Sequence, residues 1–261
     1  MMLKRKKIAV LGGAGLIGSY LVELLVEKGH RVVVIDDFSK GKKENLKKIK
    51  DKIEIRRVNL EKNKNLHNVL KDCRIFFHLA SRAYGIGYSK NNHSKILLHN
   101  EKITNNLISS LDKIKIDYFQ CVSSSCVYDD NGPKKINEEI KPKGIPEKAN
   151  LGYGWAKRLL EEKITASSFR LKFPLTIVRP FNIYSERYIW LGEYSQAIPM
   201  LVKKIMESKK KIVIWGSGKQ RRNYLHAKDC ALIMYKIFIK KFVSSPVNIG
   251  YENTVSLKEL A

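Results

Sequence analysis

Tyr153 and Lys157 stand four apart in the stretch GYGWAK. On a helix that spacing puts both side chains on one face. A phenol beside a fixed ammonium has its ionised form favoured, because the opposite charge stabilises a phenolate. Such a phenol can take a proton from a hydroxyl near neutral pH. Tyr–Lys pairs are also common as plain surface contacts, so the surroundings decide between the two readings. Upstream, residues 123–130 read SSSCVYDD. Ser124 offers a hydroxyl to a reacting oxygen. Cys126 either carries a proton or fills space as a small apolar side chain, since thiol reactivity depends on an environment that sequence does not display. The four cysteines, Cys73, Cys121, Cys126 and Cys230, show no CxxC and no histidine at zinc-ligand spacing. No metal is expected, and reduced thiols point to a cytoplasmic setting.

A second chemical signal lies near the N-terminus. Residues 11–18 read LGGAGLIG, with Gly12, Gly15 and Gly18 three apart and Gly13, Gly15 and Gly18 in the GxGxxG form. Glycine permits the tight turn and lets the backbone approach a diphosphate. A helix beginning at this point turns free N–H groups and a positive dipole end towards phosphates. Asp36 follows Gly18 by 18 residues at the end of the next apolar run. A carboxylate there accepts hydrogen bonds from ribose hydroxyls and repels a 2′-phosphate, which favours NAD over NADP. Ser39, Gly41 and Lys42 belong to DDFSKGKKENL, a stretch placed to close over the adenine end.

These residues need a scaffold, and the periodicity supplies one. Apolar runs at 7–12, 31–36, 53–60, 74–80, 117–124 and 174–180 read as strands. Helical spacing covers 16–28, 95–111 and 152–170. Apolar strands separated by helices predict a parallel sheet covered on both faces, an α/β fold of the doubly wound Rossmann type. After residue 180 the rhythm changes. Residues 182–194 read as loop, 195–208 as helix, KIVIWG (211–216) as a short strand and 229–240 as helix. Residues 129–150, rich in Pro, Gly, Lys and Asn, read as a surface loop. The expected division is a dinucleotide-binding domain over 1–180 and a smaller substrate-binding lobe over 181–261, partly interleaved with the sheet. The chain ends at VSLKELA, as a helix opens, so that lobe is expected to be incomplete.

The formal charge is +25 over 261 residues. Its lysines are spread over nearly every segment, with no arginine-rich tract, which fits a solvated surface better than a nucleic-acid face. The N-terminal 25 residues imitate a signal peptide, but their glycines fall at motif spacing and Glu23 and Glu27 continue a helical pattern. No run reaches the ~20 apolar residues of a membrane span.

The segments LGGAGLIGS, IDDFSKG, HLAS, SSSCVY, GYGWAK, RPFNIY, WGSGKQRRNYLH and PVNIG resemble, in order, the NAD-dependent epimerase/dehydratase family, the extended short-chain dehydrogenases/reductases acting on nucleotide sugars. The resemblance implies bound NAD, a nucleotide-diphosphate sugar as substrate and a homodimer. It implies Tyr153 as general base, Lys157 as its electrostatic partner and Ser124 on the reacting hydroxyl. Hydride would pass from C4 of the sugar to NAD, giving a transient 4-keto sugar. Along the cofactor it implies Gly12, Gly15, Leu16, Ile17, Gly18, Asp36, Asp37, Ser39, Asn59, Leu60, Leu79, Ala80, Ser81 and Pro180. On the substrate it implies Gly85, Ser125, Asn182, Gln196, Lys204, Gln220 and Arg222, with Arg222 suited to a diphosphate.

Several positions depart from the family pattern. Asn59 replaces a common aspartate, and Asp129 stands where Gly or Pro is usual. Ser125-Cys126 occupies the positions where water-eliminating members carry Asp-Glu. A cysteine there is similar to the GDP-mannose 3,5-epimerase subgroup, as is GIGYSKNNHSKILLHN (85–100). That subgroup places a titratable side chain at the position of Gln196, and glutamine cannot titrate. Glu193, Lys203, Lys204 and His93 are the titratable residues that could replace it. The expected activity is a nucleotide-sugar epimerase, with a decarboxylase, a reductase or a catalytically idle NAD-binding regulator as alternatives.

Overall fold

The computed structural model describes residues 6–133, 135–192, 194–208, 211–214, 216–240 and 246–261. Its centre is a seven-stranded sheet. The first six strands in sequence are β1 (Lys7–Leu11), β2 (Arg31–Asp36), β3 (Ile53–Arg57), β4 (Cys73–His78), β5 (Tyr118–Val122) and β6 (Leu175–Pro180). After them come β7 (Ile183–Tyr184), β8 (Arg221–Arg222), β9 (Leu225–His226), β10 (Val247–Ile249) and β11 (Val255–Ser256). The sheet order is β10-β6-β5-β4-β1-β2-β3, and its neighbours all pair in parallel. Beside it β7 pairs with β9 in parallel and β8 with β11 antiparallel.

The helices are α1 (Gly18–Glu27), α2 (Leu66–Leu70), α3 (Ile86–Ser89), α4 (His93–Leu111), α5 (Leu151–Leu171), α6 (Ala197–Glu207), α7 (Ala227–Ile239) and α8 (Leu257–Leu260). Side chains alternate across a strand, so each central strand feeds two cores. Ile8 and Val10 of β1 join Leu21 and Leu25 of α1 and Met234 and Phe238 of α7. Ala9 and Leu11 join Leu107 of α4 and Leu160 and Ile164 of α5 on the other face. A strand buried on both faces must be apolar at every position, which is why KIAVL and VVVI lack polar alternation. Among the described residues, no helix is long and apolar enough to cross a membrane.

The strand order reverses at β1, with β2 on one side and β4 on the other. In open α/β sheets, ligands bind at such a reversal, beyond the carboxyl ends of the strands. The loops after β1, β2, β4 and β5 therefore share one edge of the sheet. These loops carry the glycine motif, Asp36, the HLAS segment and SSSCVY.

Several expectations are corrected. The third strand stops at Arg57 instead of running to residue 60; the Val58 N–H still donates to the Asp36 carbonyl, and beyond it the chain turns and sets Asn59 beside Asp37. Residues 211–214 of KIVIWG form no strand, and Trp215 lies outside the described residues. Val213 is 75% exposed; the run is apolar, but a strand needs a partner. β10 enters the sheet as an unforeseen seventh strand, only three residues long. Lys43–Lys52 forms a 3₁₀ helix and Leu66–Leu70 a short α-helix, neither of them expected from periodicity. The 182–194 loop contains β7.

Candidate active site

The glycine turn is built against the end of β4. Gly12 has φ +82°, and its N–H donates to the Ile35 carbonyl at 2.8 Å. A Cβ on Gly12 would sit 2.8 Å from the backbone nitrogen of Ala80. A Cβ on Gly18 would collide with the Gly12 carbonyl oxygen, so α1 can start this close to the turn only without a side chain. Asp36 is buried, and burial raises its carboxyl above the usual range. Its Oδ2 accepts from the Ala14 N–H and its Oδ1 from the Phe38 N–H, both at 2.9 Å. Each carboxylate oxygen retains a lone pair for a ribose hydroxyl. Asp37 accepts from the backbone and hydroxyl of Ser39, and from Asn59 Nδ2 at 2.7 Å. That contact explains Asn59, since an aspartate there would press one carboxylate on another. Leu60 is buried behind it, and the Leu79 N–H donates to the Leu11 carbonyl. Leu16 and Ile17 lie in the turn that leads into α1, partly buried, and Pro180 closes β6 opposite Ile249.

Cations gather over this turn. Lys40, from the loop after β2, donates to the Ala83 carbonyl at 3.0 Å, in the loop after β4. Burial, then the positive charges of Lys157 and Arg82, pushes its ammonium down to about 8. No carboxylate pairs with Lys40 among the described residues. Tyr194 spans the same loops: Lys40 Nζ lies 5.7 Å above its ring, Arg82 donates to its hydroxyl at 3.1 Å, and Tyr84 stacks on it at 4.7 Å.

The first turn of α5 carries Tyr153 between two glycines. A Cβ on Gly152 would strike the His93 carbonyl at the start of α4. A Cβ on Gly154 would sit 2.5 Å from the Cys126 carbonyl oxygen and 2.6 Å from Pro146 Cβ. The two glycines therefore wedge the helix end between α4 and the turn after β5. The Tyr153 hydroxyl lies 3.5 Å from Ser81 Oγ. Lys157 is buried; its Nζ donates to the Val122 carbonyl at 2.8 Å and lies 5.5 Å from the Tyr153 ring centre. Ser124 caps the 3₁₀ turn Ser125–Val127, its Oγ accepting from the Cys126 N–H at 3.2 Å. Cys126 Sγ donates to Glu147 Oε2 at 3.4 Å. Burial, then the Glu147 charge, pushes this thiol up to about 12. Glu147 Oε2 also accepts from Asn150 Nδ2 at 2.8 Å, while its Oε1 faces Arg222 at 3.7 Å.

The remaining expected residues separate into two groups. Ser125 and Arg222 join Cys126 through the turn and through Glu147. Asn182 Nδ2 donates to Asn223 Oδ1 at 3.2 Å, which sets it beside the strand carrying Arg222. Gly85 is buried and starts α3. Gln196 is the N-cap of α6. Lys204 instead donates to the Val213 carbonyl at 2.8 Å, and Gln220 is exposed with its carbonyl on the Leu257 N–H. Of the proposed replacements for a titratable Gln196, Lys203 pairs with Glu207 and His93 accepts from the Gly152 N–H. Glu193 lies outside the described residues. The carboxylate at the thiol is Glu147, which sequence reading did not single out. Its one local signal is a position six residues before Tyr153; the contact with Cys126 spans 21 residues.

The sequence model of the NAD dependent epimerase/dehydratase family matches residues 8–250. The chain belongs to this family. Family membership makes it an NAD-dependent enzyme of the nucleotide-sugar epimerase and decarboxylase group. The chain is similar to the UDP-N-acetyl-alpha-D-glucosaminuronate decarboxylase of Bacillus cytotoxicus, 28% identical over 257 residues, covering 98% of this chain and 78% of that protein. It is also similar to the GDP-mannose 3,5-epimerase of Arabidopsis thaliana, 28% identical over 257 residues, covering 98% of this chain and 67% of the relative. Among solved structures, it superposes on UDP-N-acetylglucosamine 4-epimerase from Methanobrevibacter ruminantium M1 with TM-score 0.82 at 25% identity, covering 98% of this chain and 79% of that one. The residues present fit NAD. The side-chain-free approach at Gly12 and Gly18, the start of α1, the lone pairs of Asp36 and the uncompensated Lys40 together suit a ribosyl diphosphate.

Proposed function

We propose that this chain is a nucleotide-sugar epimerase. The observation that carries the reading is the convergence of Tyr153, Lys157 and Cys126 on the end of β5, with a thiol where elimination of water would need an acid and a base. When bound, NAD supplies reversible removal of the C4 hydride. Tyr153 takes the proton of the C4 hydroxyl, helped by the buried Lys157 ammonium. Ser124 Oγ accepts from Cys126, and its own O–H remains to bond the reacting oxygen. Asn182 and Arg222 hold the diphosphate. Residues 1–180 act as the cofactor domain and 181–261 as the substrate lobe, with β10 returning to the sheet. The exposed apolar side chains of Leu98 on α4 and of Trp155 and Leu159 on α5 support a homodimer through that face.

The test is incubation with UDP-, GDP- and dTDP-sugars in deuterated water, followed by proton NMR. Inversion at a ring carbon supports the epimerase. Tyr153→Phe is expected to abolish turnover, and retained turnover refutes the mechanism. A decarboxylase is the second reading, carried by the similarity to the Bacillus enzyme. Loss of carbon dioxide from UDP-glucuronic acid without an epimer would replace the first reading with the second.

A further inference from the structure

Cys126 differs from its three fellow cysteines in being only partly buried. Its backbone and its sulfur are each held. Ser124 fixes the turn through the Cys126 N–H, and Glu147 receives the thiol hydrogen. Glu147 reaches this position from the loop before α5, where Asn150 binds the same oxygen. The charged groups facing the pair are Lys157 from α5 and Arg222 from β8. A thiol kept protonated beside a carboxylate is a poor nucleophile and a poor base by itself. It is well placed to pass a proton on to that carboxylate.

We infer that Glu147 is the proton acceptor behind Cys126, so that thiol and carboxylate work as one relay at the sugar ring. The inference rests on the epimerase reading above. In the step, a C–H bond beside the substrate ketone breaks. Its proton goes to Sγ while the proton already on Sγ moves to Glu147 Oε2. The electron pair of the broken bond becomes an enolate, with its charge on the ketone oxygen. The thiol ends as a thiol, Glu147 ends neutral, and the total charge is unchanged. Reversal of the relay returns a proton, now exchanged with solvent, to the face it left, whereas inversion follows when the same enolate takes a proton on its opposite face. Glu147 is thus a positioning residue that acts through Cys126.

The test compares the full-length NAD-loaded protein with Glu147→Gln and Glu147→Asp, after thermal melting shows that the variants fold. The first readout is iodoacetamide alkylation of Cys126 against pH, followed by mass spectrometry without substrate. Glu147→Gln is expected to alkylate at least about tenfold faster near pH ~8, because the neighbouring negative charge is gone. Glu147→Asp, which keeps the charge, should stay near the wild-type profile. The second readout uses GDP-mannose and UDP-glucuronic acid in deuterated water. Glu147→Gln should lose ring C–H exchange about a hundredfold while NADH formation stays within about threefold of wild type. Unchanged alkylation, or exchange retained in Glu147→Gln, overturns the relay. Wild-type NADH formation without exchange at any ring carbon also overturns the relay but leaves a simple 4-epimerase standing. Failure of either sugar to reduce the bound NAD overturns the functional reading for these sugars and the relay on them.

Discussion

At the scale of single residues, Lys40 carries the sharpest physical consequence. Its ammonium sits in a half-buried site near Lys157 and Arg82, with a carbonyl and the face of the Tyr194 ring as partners and no carboxylate among the described residues. Its folded value of about 8 lies below the ordinary lysine value of 10.5. Between those two the unfolded chain binds the extra proton, so stability rises with pH across that window. Below it the cost of the buried charge is fully present. A bound diphosphate reverses the sign, because the anion favours the charged lysine. Lys40→Met is expected to raise the melting temperature of the cofactor-free protein by about 2–4 °C near neutral pH, in calorimetry. The same change should weaken NAD about tenfold and flatten its affinity between pH ~7 and ~9, measured by fluorescence titration. Much of the candidate site at this scale was legible in sequence, because Gly12 and Gly18 share one turn, Asp36 ends the next strand, and Tyr153 and Lys157 share one helix. Glu147 and Tyr194 were not, because their contacts with Cys126 and Arg82 cross 21 and 112 residues and arise only from tertiary packing.

At the scale of elements, α5 joins catalysis to stability. Its Glu161 forms two hydrogen bonds with Arg179 of β6, at 2.9 and 2.6 Å, and Arg179 also donates to the Tyr128 hydroxyl at 3.0 Å. Both partners are buried. Glu161→Ala leaves a buried guanidinium unpaired and is expected to cost about 3–5 kcal/mol in urea unfolding with an unchanged slope. Gly154→Ala works differently. The new methyl meets the Cys126 carbonyl and Pro146, so the helix end must shift and carry Tyr153 with it. Its kcat is expected to fall about a hundredfold, with a smaller loss of stability than Glu161→Ala. Six strands of the sheet were readable because a strand buried on both faces writes an unbroken apolar run. β10 escaped because three residues make no period. Residues 211–214 misled because, among the described residues, their apolar run has no strand to pair with, and hydrophobicity alone does not make a strand.

At the scale of the whole molecule, assembly offers the next test. If the proposed dimer forms through the exposed α4–α5 face, the wild type is expected to sediment as a dimer and Leu98→Glu combined with Trp155→Glu, which places charge on that face, as a monomer. The sheet order has a further consequence. Lys40 and Arg82 belong to loops on opposite sides of the β1 turn, so Tyr194, which touches both, forms a bar across it. A dinucleotide seated beneath that ring would be slow to leave, because Tyr194 would have to give up its contacts with Lys40, Arg82 and Tyr84 first. Such a site favours reactions that return their oxidant to its starting state before the product departs. Isomerisation and decarboxylation do so; net reduction would have to raise the bar in every cycle. Tyr194 therefore weighs against a reductase, and a sugar that escaped half-converted would strand the molecule in the wrong redox state until the next slow exchange.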